Sequence, residues 1–363
     1  MKIKKIVLFY ISSALLALFT ILTIFSPSDK ENLITCWGEH FAYSKEVKAI
    51  MDLPIMQRLK DVDQSGPARY FGPILPKFSR FDHSVDVWAI LKKYGASYEE
   101  QIAGLLHDSS HTVFSHVGDY IFAKKITEFA ESSFQDSIHV AYLKSRKISD
   151  SLKKFGIKIK IDDLDPENKQ YKRLEQPLPD MCADRIQYNI HTGILFGKIS
   201  KSEAKKLIDD ISFKNGKWFF TNKQSARKFA EMSLYFTQNF WGSKWNVSLN
   251  IHLANALKRA LELKIITEDE LFLTDSVIMN KLIKNQDLTI QLNLQQCKKP
   301  IEHIPGKRYK TEFFKPKFRG IDPLVLEGDK LVRLTEIDFI LKNYYEDTRN
   351  WCKNGFYVDV LLI

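Results

Sequence analysis

Gly104-Leu-Leu-His107-Asp108-Ser-Ser-His111-Thr-Val-Phe-Ser-His116 is the stretch on which the reading of this chain turns. An apolar helix ending Ile102-Ala-Gly-Leu-Leu runs straight into an imidazole and a carboxylate. Polar groups that end a buried helix need partners, and a metal ion satisfies an imidazole and a carboxylate together. Adjacent residues on a helix lie about 100° apart, so His107 and Asp108 can both reach one ion at the helix end. His111 follows His107 by one turn and can face the same cleft. Five of the nine histidines (His83, His107, His111, His116 and His139) fall within 57 residues. Any one of them alone reads equally well as a hydrogen-bonded loop residue; their density argues for a site.

Outward from that stretch, the body reads as helix after helix. Apolar residues recur at three- and four-residue spacing near 45–64, 83–95, 98–110, 136–154, 180–192, 201–210, 223–240 and 247–264. One hairpin interrupts them, residues 211–220, with Asn215-Gly216 suited to a type I′ turn. Past residue 286 the prolines at 300, 305, 316 and 323 break the pattern. A helix is expected near 334–346 and a strand at the end, Gly355-Phe-Tyr-Val-Asp-Val-Leu-Leu-Ile. The fold class expected is mainly α, an all-helical core with a small mixed α/β C-terminal part and an N-terminal apolar helix. The aromatic group Tyr235, Phe236, Phe240, Trp241 and Trp245 reads as core rather than as a base-stacking platform.

The 363 residues carry 54 Lys+Arg against 44 Asp+Glu, with a hydrophobic fraction of 44% and a charged fraction of 27%. Those fractions exclude a disordered chain, a fibrous repeat and a polytopic membrane protein. Four scattered cysteines exclude a disulfide framework and a paired-cysteine metal site. The net +10 is unevenly spread: residues 1–30 hold four lysines against Asp29. After the first lysines comes an uncharged run, residues 6–25 (IVLFYISSALLALFTILTIF), which as a helix would be roughly 30 Å long, a bilayer core's thickness. Lysines before it and none until Lys30 place the N-terminus in the cytoplasm. The expectation is a signal peptide or single-span membrane anchor with the body outside the cytoplasm; without that segment's export role the body is cytoplasmic.

Two motifs together resemble the HD-domain metal-dependent phosphohydrolases: Arg80-Phe-Asp-His83-Ser-Val-Asp-Val, and Leu105-Leu-His107-Asp108 through His116. The nearest branch is similar to the deoxynucleoside triphosphate triphosphohydrolases, through Leu53-Pro-Ile-Met-Gln57-Arg58 to Gln64-Ser-Gly66 upstream and Ala183-Asp184-Arg185-Ile-Gln-Tyr188 downstream. The resemblance implies that His83, His107, Asp108 and Asp184 hold one divalent metal ion. Two imidazoles with two carboxylates admit Mn, Fe, Zn or Mg. It further implies catalytic roles for Asp108, His111, His116 and His139, with Arg80, Gln64 and Tyr188 binding substrate. Val140 stands where the family has a glutamate after the proton-transfer histidine, and Thr192 stands where it has a carboxylate. Three parts are expected: residues 1–30 as the signal or anchor, 31–285 as the HD phosphohydrolase domain, and 286–363 as a C-terminal α/β extension.

The function implied is hydrolysis of a nucleotide or related phosphate ester by a metal-activated water. The alternatives are a metal-binding HD scaffold without turnover and a nucleic-acid-binding protein. The last would use residues 298–319, where eight Lys/Arg face Glu302 and Glu312, interleaved with Tyr309, Phe313, Phe314 and Phe318. The same segment could also take polyphosphate or an anionic membrane surface; the plainer expectation for it is a solvated, proline-broken loop. Expected partners are a nucleotide or phosphate-ester substrate and, through the N-terminal run, a membrane. Nucleic acid and a second copy of the chain, as a homo-oligomer, stay open.

Overall fold

A computed structural model describes residues 31–72, 75–123 and 133–362. The expected N-terminal apolar helix, signal or anchor lies outside the described residues. Among the described residues no helix is long and apolar enough to cross a membrane.

A small antiparallel ribbon, β1 (Asn32–Ile34) and β2 (His40–Ala42), precedes α1 (Lys45–Met51). The single helix expected over 45–64 is broken here. Pro54, with no N–H to donate, opens a separate turn (Pro54–Gln57) that tightens into a 3₁₀ turn (Arg58–Asp61). Arg58 then reaches across the fold, and its Nη2 donates to the carbonyls of Ser109 (2.7 Å) and His111 (2.5 Å). The entry turns are thereby tied to the histidine stretch.

The centre of the molecule is α2 (Arg80–Lys93), started by a Ser79/Asp82 capping box. Val87, Trp88, Ala89, Ile90 and Leu91 are all buried, so little of this helix meets water. It packs against α3 (Tyr98–Leu106), capped by Ser97. Gly104 sets the spacing of that pair, since a Cβ there would lie 2.2 Å from Leu91 Cδ1. Then follow α4 (Val117–Phe122), α5 (Phe134–Ser145), α6 (Ile148–Lys154) and α7 (Ala183–Leu195). The helix expected over 136–154 is split between α5 and α6 at Lys147, which has φ +53°.

After α8 (Lys201–Asp209) the expected hairpin forms as β3 (Ile211–Lys214) and β4 (Lys217–Phe220), with positive φ at both Asn215 and Gly216. Next come α9 (Lys223–Phe236), α10 (Lys244–Glu262), α11 (Asp275–Lys284) and α12 (Leu288–Lys298). The basic segment is not a loop throughout: β5 (Arg308–Phe314) pairs antiparallel with the C-terminal strand β8 (Phe356–Leu362). Between them lie β6 (Leu324–Glu327), β7 (Lys330–Arg333) and α13 (Phe339–Asn354).

The sheet order β3-β4-β6-β7 joins the hairpin to the C-terminal part through a parallel β4/β6 pair. Ile290, Leu294, Cys297, Ile321, Val325 and Leu341 share one apolar core with α2 and α3. Packing therefore runs unbroken across residue 286, because β6 and α12 bury their apolar faces on the helical body rather than on each other.

Candidate metal centre

Three helix ends meet at one point. The first turn of α2 brings His83, the end of α3 brings His107 and Asp108, and the first turn of α7 brings Asp184. His83 Nε2 lies 3.2 Å from His107 Nε2 and 2.9 Å from Asp184 Oδ1. His107 Nε2 is 3.5 Å from Asp108 Oδ1 and 3.7 Å from Asp184 Oδ1, while Asp108 Oδ2 is 3.7 Å from His83 Nε2. All four expected ligands are thus brought together, and His83, His107 and Asp108 are buried.

The partners of each ring decide which nitrogen is available. His107 Nδ1 donates to Gly104 O at 2.7 Å, so Nε2 keeps its lone pair. His83 Nδ1 donates to Gln187 Oε1. The Gln187 amide cannot be turned round, because its Nε2 donates to Asp86 Oδ2 at 3.0 Å and a carboxylate only accepts. Both rings therefore turn Nε2 toward one another and toward two carboxylates. Such an arrangement repels itself unless a cation sits among the donors, so the residues present fit a divalent ion. With no ion bound, protons on these nitrogens take the cation's place. Burial works against charge at Asp184, but hydrogen bonds from His107 and His83 outweigh it and hold the carboxyl well below its usual range. Burial likewise opposes charge at His107, yet Asp108 and Asp184 push it up to about 9.

The HD-domain family pattern matches residues 80–185, an interval that opens on Arg80 and includes all four ligands. Over 327 residues the chain is 31% identical to YdhJ, an uncharacterized protein of Bacillus subtilis, covering 90% of this chain and 97% of that one. The chain belongs to the HD-domain phosphohydrolases. It is also 31% identical over 175 residues, 48% of each chain, to a metal-dependent phosphohydrolase, cns2, of Cordyceps militaris. A phosphohydrolase structure from Bacteroides thetaiotaomicron superposes with a TM-score of 0.66, covering 92% of this chain and all of that one. A hypothetical protein of Aquifex aeolicus gives 0.62 over 88% and 99%. Both structures are 16% identical to this chain and speak for the fold alone.

In this HD phosphohydrolase His107, Asp108 and Asp184 of the cluster open into a cavity of about 310 Å³. Arg80 lies on its wall, buried, with Nη1 on Asp108 Oδ2 (2.8 Å) and Nε on Ser115 Oγ (2.9 Å). Its Nη2 has no hydrogen-bond partner among the described residues. His111 Nε2 is 3.3 Å from Asp108 Oδ1, and burial, with Arg80 alongside, lowers His111 to about 3. His116 stands edge-on to His111, ring centroids 5.2 Å apart, and its Nδ1 meets Asp119 Oδ2 at 3.1 Å. Burial lowers His116 despite Asp119. Gln64 and Tyr188 line the same cavity, with Tyr188 edge-on to Trp241. His139 is placed differently. It is buried behind the cavity wall, Nδ1 against Ser110 Oγ at 3.0 Å, with its Nε2 unpartnered among the described residues.

The turn carrying His111 and His116 is tightly held. Phe114 and Ser115 both have φ +57°, a left-handed conformation costing about 1–3 kcal/mol for each such residue. Buried Asp275 accepts from the Phe114 N–H (2.6 Å), and Ser115 Oγ donates to Asp63 O (2.5 Å).

Several residues in and around the site escaped the sequence reading. Gln187 follows Asp184 by three positions on α7, and Asp86 follows His83 by three on α2. Residues three apart share a helix face, so both could have been found. Glu175, raised to about 7 by burial and the neighbouring Asp184, and Asp136, raised to about 6 mainly by burial, sit in irregular or partly covered positions with no motif. Phe240 and Trp241, expected as core, lie in part on the cavity wall. They are presented there by a turn widened to a π-helix over Thr237–Trp241, a local expansion frequent at functional sites. From the basic segment, Lys315, Lys317 and Arg319 also reach the cavity.

Proposed function

We propose that the protein hydrolyses a phosphate ester or anhydride, with a nucleotide as the leading substrate class, in the cavity above His83, His107, Asp108 and Asp184. The observation that carries this reading is the pair of Nε2 atoms 3.2 Å apart, their rings held through Nδ1 by Gln187 and Gly104 and flanked by two carboxylates. These four side chains would hold one divalent cation; Mn, Fe, Zn and Mg all suit a mixed imidazole and carboxylate set. When bound, such a cation acidifies ligated water and offsets phosphoryl charge.

The protein's own groups supply the rest, chiefly position and positive charge. Arg80 is braced by Asp108 and Ser115, which leaves Nη2 to hold a phosphoryl oxygen. His111 is neutral and orients Asp108. His116, neutral and backed by Asp119, is the group best set to pass a proton to or from the leaving oxygen. His139 supports the turn from behind through Ser110. Gln64 and Tyr188 border the same cavity and are assigned to the alcohol or nucleoside portion. The apolar run at residues 6–25 supports an exported or anchored body, which cell fractionation of the tagged chain tests.

The test of the site is the His107→Ala/Asp108→Ala double variant. Wild type should bind about one equivalent of a transition metal and release phosphate from a nucleotide panel; the variant should lose both properties. Equal metal content in the two proteins refutes the ligand assignment. Bound metal without turnover across the panel in wild type leaves the non-catalytic scaffold.

A further inference from the structure

The eight cations of residues 298–319 do not act as one patch. Lys299 is paired with Glu302 (2.7 Å) and Lys310 with Glu312 (2.9 Å), both away from the cavity. Lys315, Lys317 and Arg319 instead line the cavity that contains Arg80 and the metal ligands. They come from outside the interval matched by the HD pattern.

The segment that carries them is fixed at both ends. Phe314, buried, is the last residue of β5 and pairs with Phe356 of β8. Beyond Arg319, the Ile321 N–H donates to Ser233 Oγ at 3.0 Å. In the middle Pro316 is buried against Gly242, where a Cβ would come within 2.9 Å of the proline ring. Buried Phe314 and Pro316 alternate with exposed Lys315 and Lys317, as an extended chain requires. The cations therefore point out by construction. Among the described residues neither Lys317 nor Arg319 has an ion-pair partner. Arg319 depresses the Lys317 ammonium, and its charge also bears on His116. Asp136 and Asp119, on the same cavity wall, offset that repulsion only in part, and a bound polyanion would relieve the rest.

We propose that Lys317 and Arg319 are specificity residues that bind a second anionic group of the substrate, so that the pocket selects a polyphosphorylated compound over a simple monoester. The proposal deepens the phosphohydrolase reading and rests on it for the scissile group. The cavity wall then carries Arg80 beside the proposed ligands and Lys317 and Arg319 from the C-terminal segment, so that more than one anionic group can be met at once. Recognition of this kind works through charge and hydrogen bonding, and a methylene-linked analogue should satisfy it as well as a natural anhydride.

The test is calorimetric titration of the metal-loaded full chain, in buffer stripped of free metal, with inorganic phosphate, pyrophosphate and tripolyphosphate. Wild type should bind pyrophosphate or tripolyphosphate at least tenfold more tightly than phosphate. Lys317→Ala and Arg319→Ala should each weaken polyphosphate binding roughly tenfold, leave phosphate binding within about twofold, and retain metal. Arg319→Lys, which preserves charge and packing, should recover most of the loss. Unchanged polyphosphate affinity in both alanine variants, equal losses for phosphate and polyphosphate in folded protein, or no polyphosphate preference in wild type each overturns the proposal. If the preference and its loss are seen while no ester is hydrolysed, the binding role stands and the hydrolytic reading fails.

Discussion

Replacing Gln187 by leucine removes two hydrogen bonds without much change of volume. His83 Nδ1 loses its acceptor, and Asp86 Oδ2 loses a donor at 3.0 Å while keeping the Cys36 N–H at 3.2 Å. Both groups are buried, and burial already raises Asp86 to about 6. A buried polar group left unsatisfied costs about 1–3 kcal/mol, so the two together should lower stability by roughly 2–5 kcal/mol. The effect on the metal is separate. With Gln187 gone, nothing requires the proton to stay on Nδ1. The ring can place it on Nε2, where Asp184 Oδ1 lies 2.9 Å away to accept it, and the ligating lone pair is then lost. Groups of this supporting kind alter metal affinity by about 10- to 100-fold, or roughly 1.4–2.8 kcal/mol. The assay is competition against a chelator of known affinity, with thermal unfolding of the same samples. Gln187→Glu is the informative partner. It still accepts from His83 but sets a second carboxylate against Asp86, so it should keep more metal affinity than leucine while losing stability above about pH 6. Metal affinity in Gln187→Leu within twofold of wild type would refute the claim that this amide sets the His83 tautomer.

Two further outcomes follow from packing and burial. Gly104→Ala should cost about 1–3 kcal/mol, read as a lowered melting temperature, because its Cβ meets Leu91 Cδ1 at 2.2 Å; it should also weaken metal binding, since His107 is anchored to the Gly104 carbonyl. An unchanged melting temperature and metal affinity would show that α2 and α3 yield freely. His252, fully buried on α10, is lowered to about 4 by burial, which the nearby Asn293 amide only partly opposes. Its folded form resists a proton that the unfolded chain takes up near pH 6.5. The stability it carries is therefore present above pH 6.5 and is lost as pH falls from there to about 4, by about 3 kcal/mol at most. In His252→Leu the chemical-denaturation stability should fall less steeply across that window; an identical slope removes His252 from the acid response.

Much of this site was legible in the sequence because its ligands lie at helix ends. His107-Asp108 closes α3, where the end of an apolar helix marks the pair, whereas His83 and Asp184, in the first turns of α2 and α7, are reached through the family resemblance. The all-helical body, the Asn215-Gly216 hairpin and the C-terminal strand could be read for the same reason: each depends on contacts among near neighbours. Local signals also had limits. The helix expected over 45–64 breaks at a proline visible in the sequence, whereas the break at Lys147 has no such residue to announce it.

What the sequence could not decide was who meets whom. Nothing local shows that Gln187 holds His83 through an amide locked on Asp86, or that His139 lies behind Ser110 instead of facing the cavity. The basic segment is the clearest case. By composition it was a solvated loop or a patch for polyphosphate, nucleic acid or an anionic membrane surface. In the fold, β5 pairs with the last strand and Ile321 bonds to Ser233, and these long-range contacts carry Lys315, Lys317 and Arg319 to the metal pocket. The sequence by itself determined the helices and the His107-Asp108 pair that ends one of them, because those follow from local periodicity and side-chain chemistry. Only the tertiary structure decided which distant charges share the cavity, because that depends on which apolar faces of β5, β6 and α12 find the helical core.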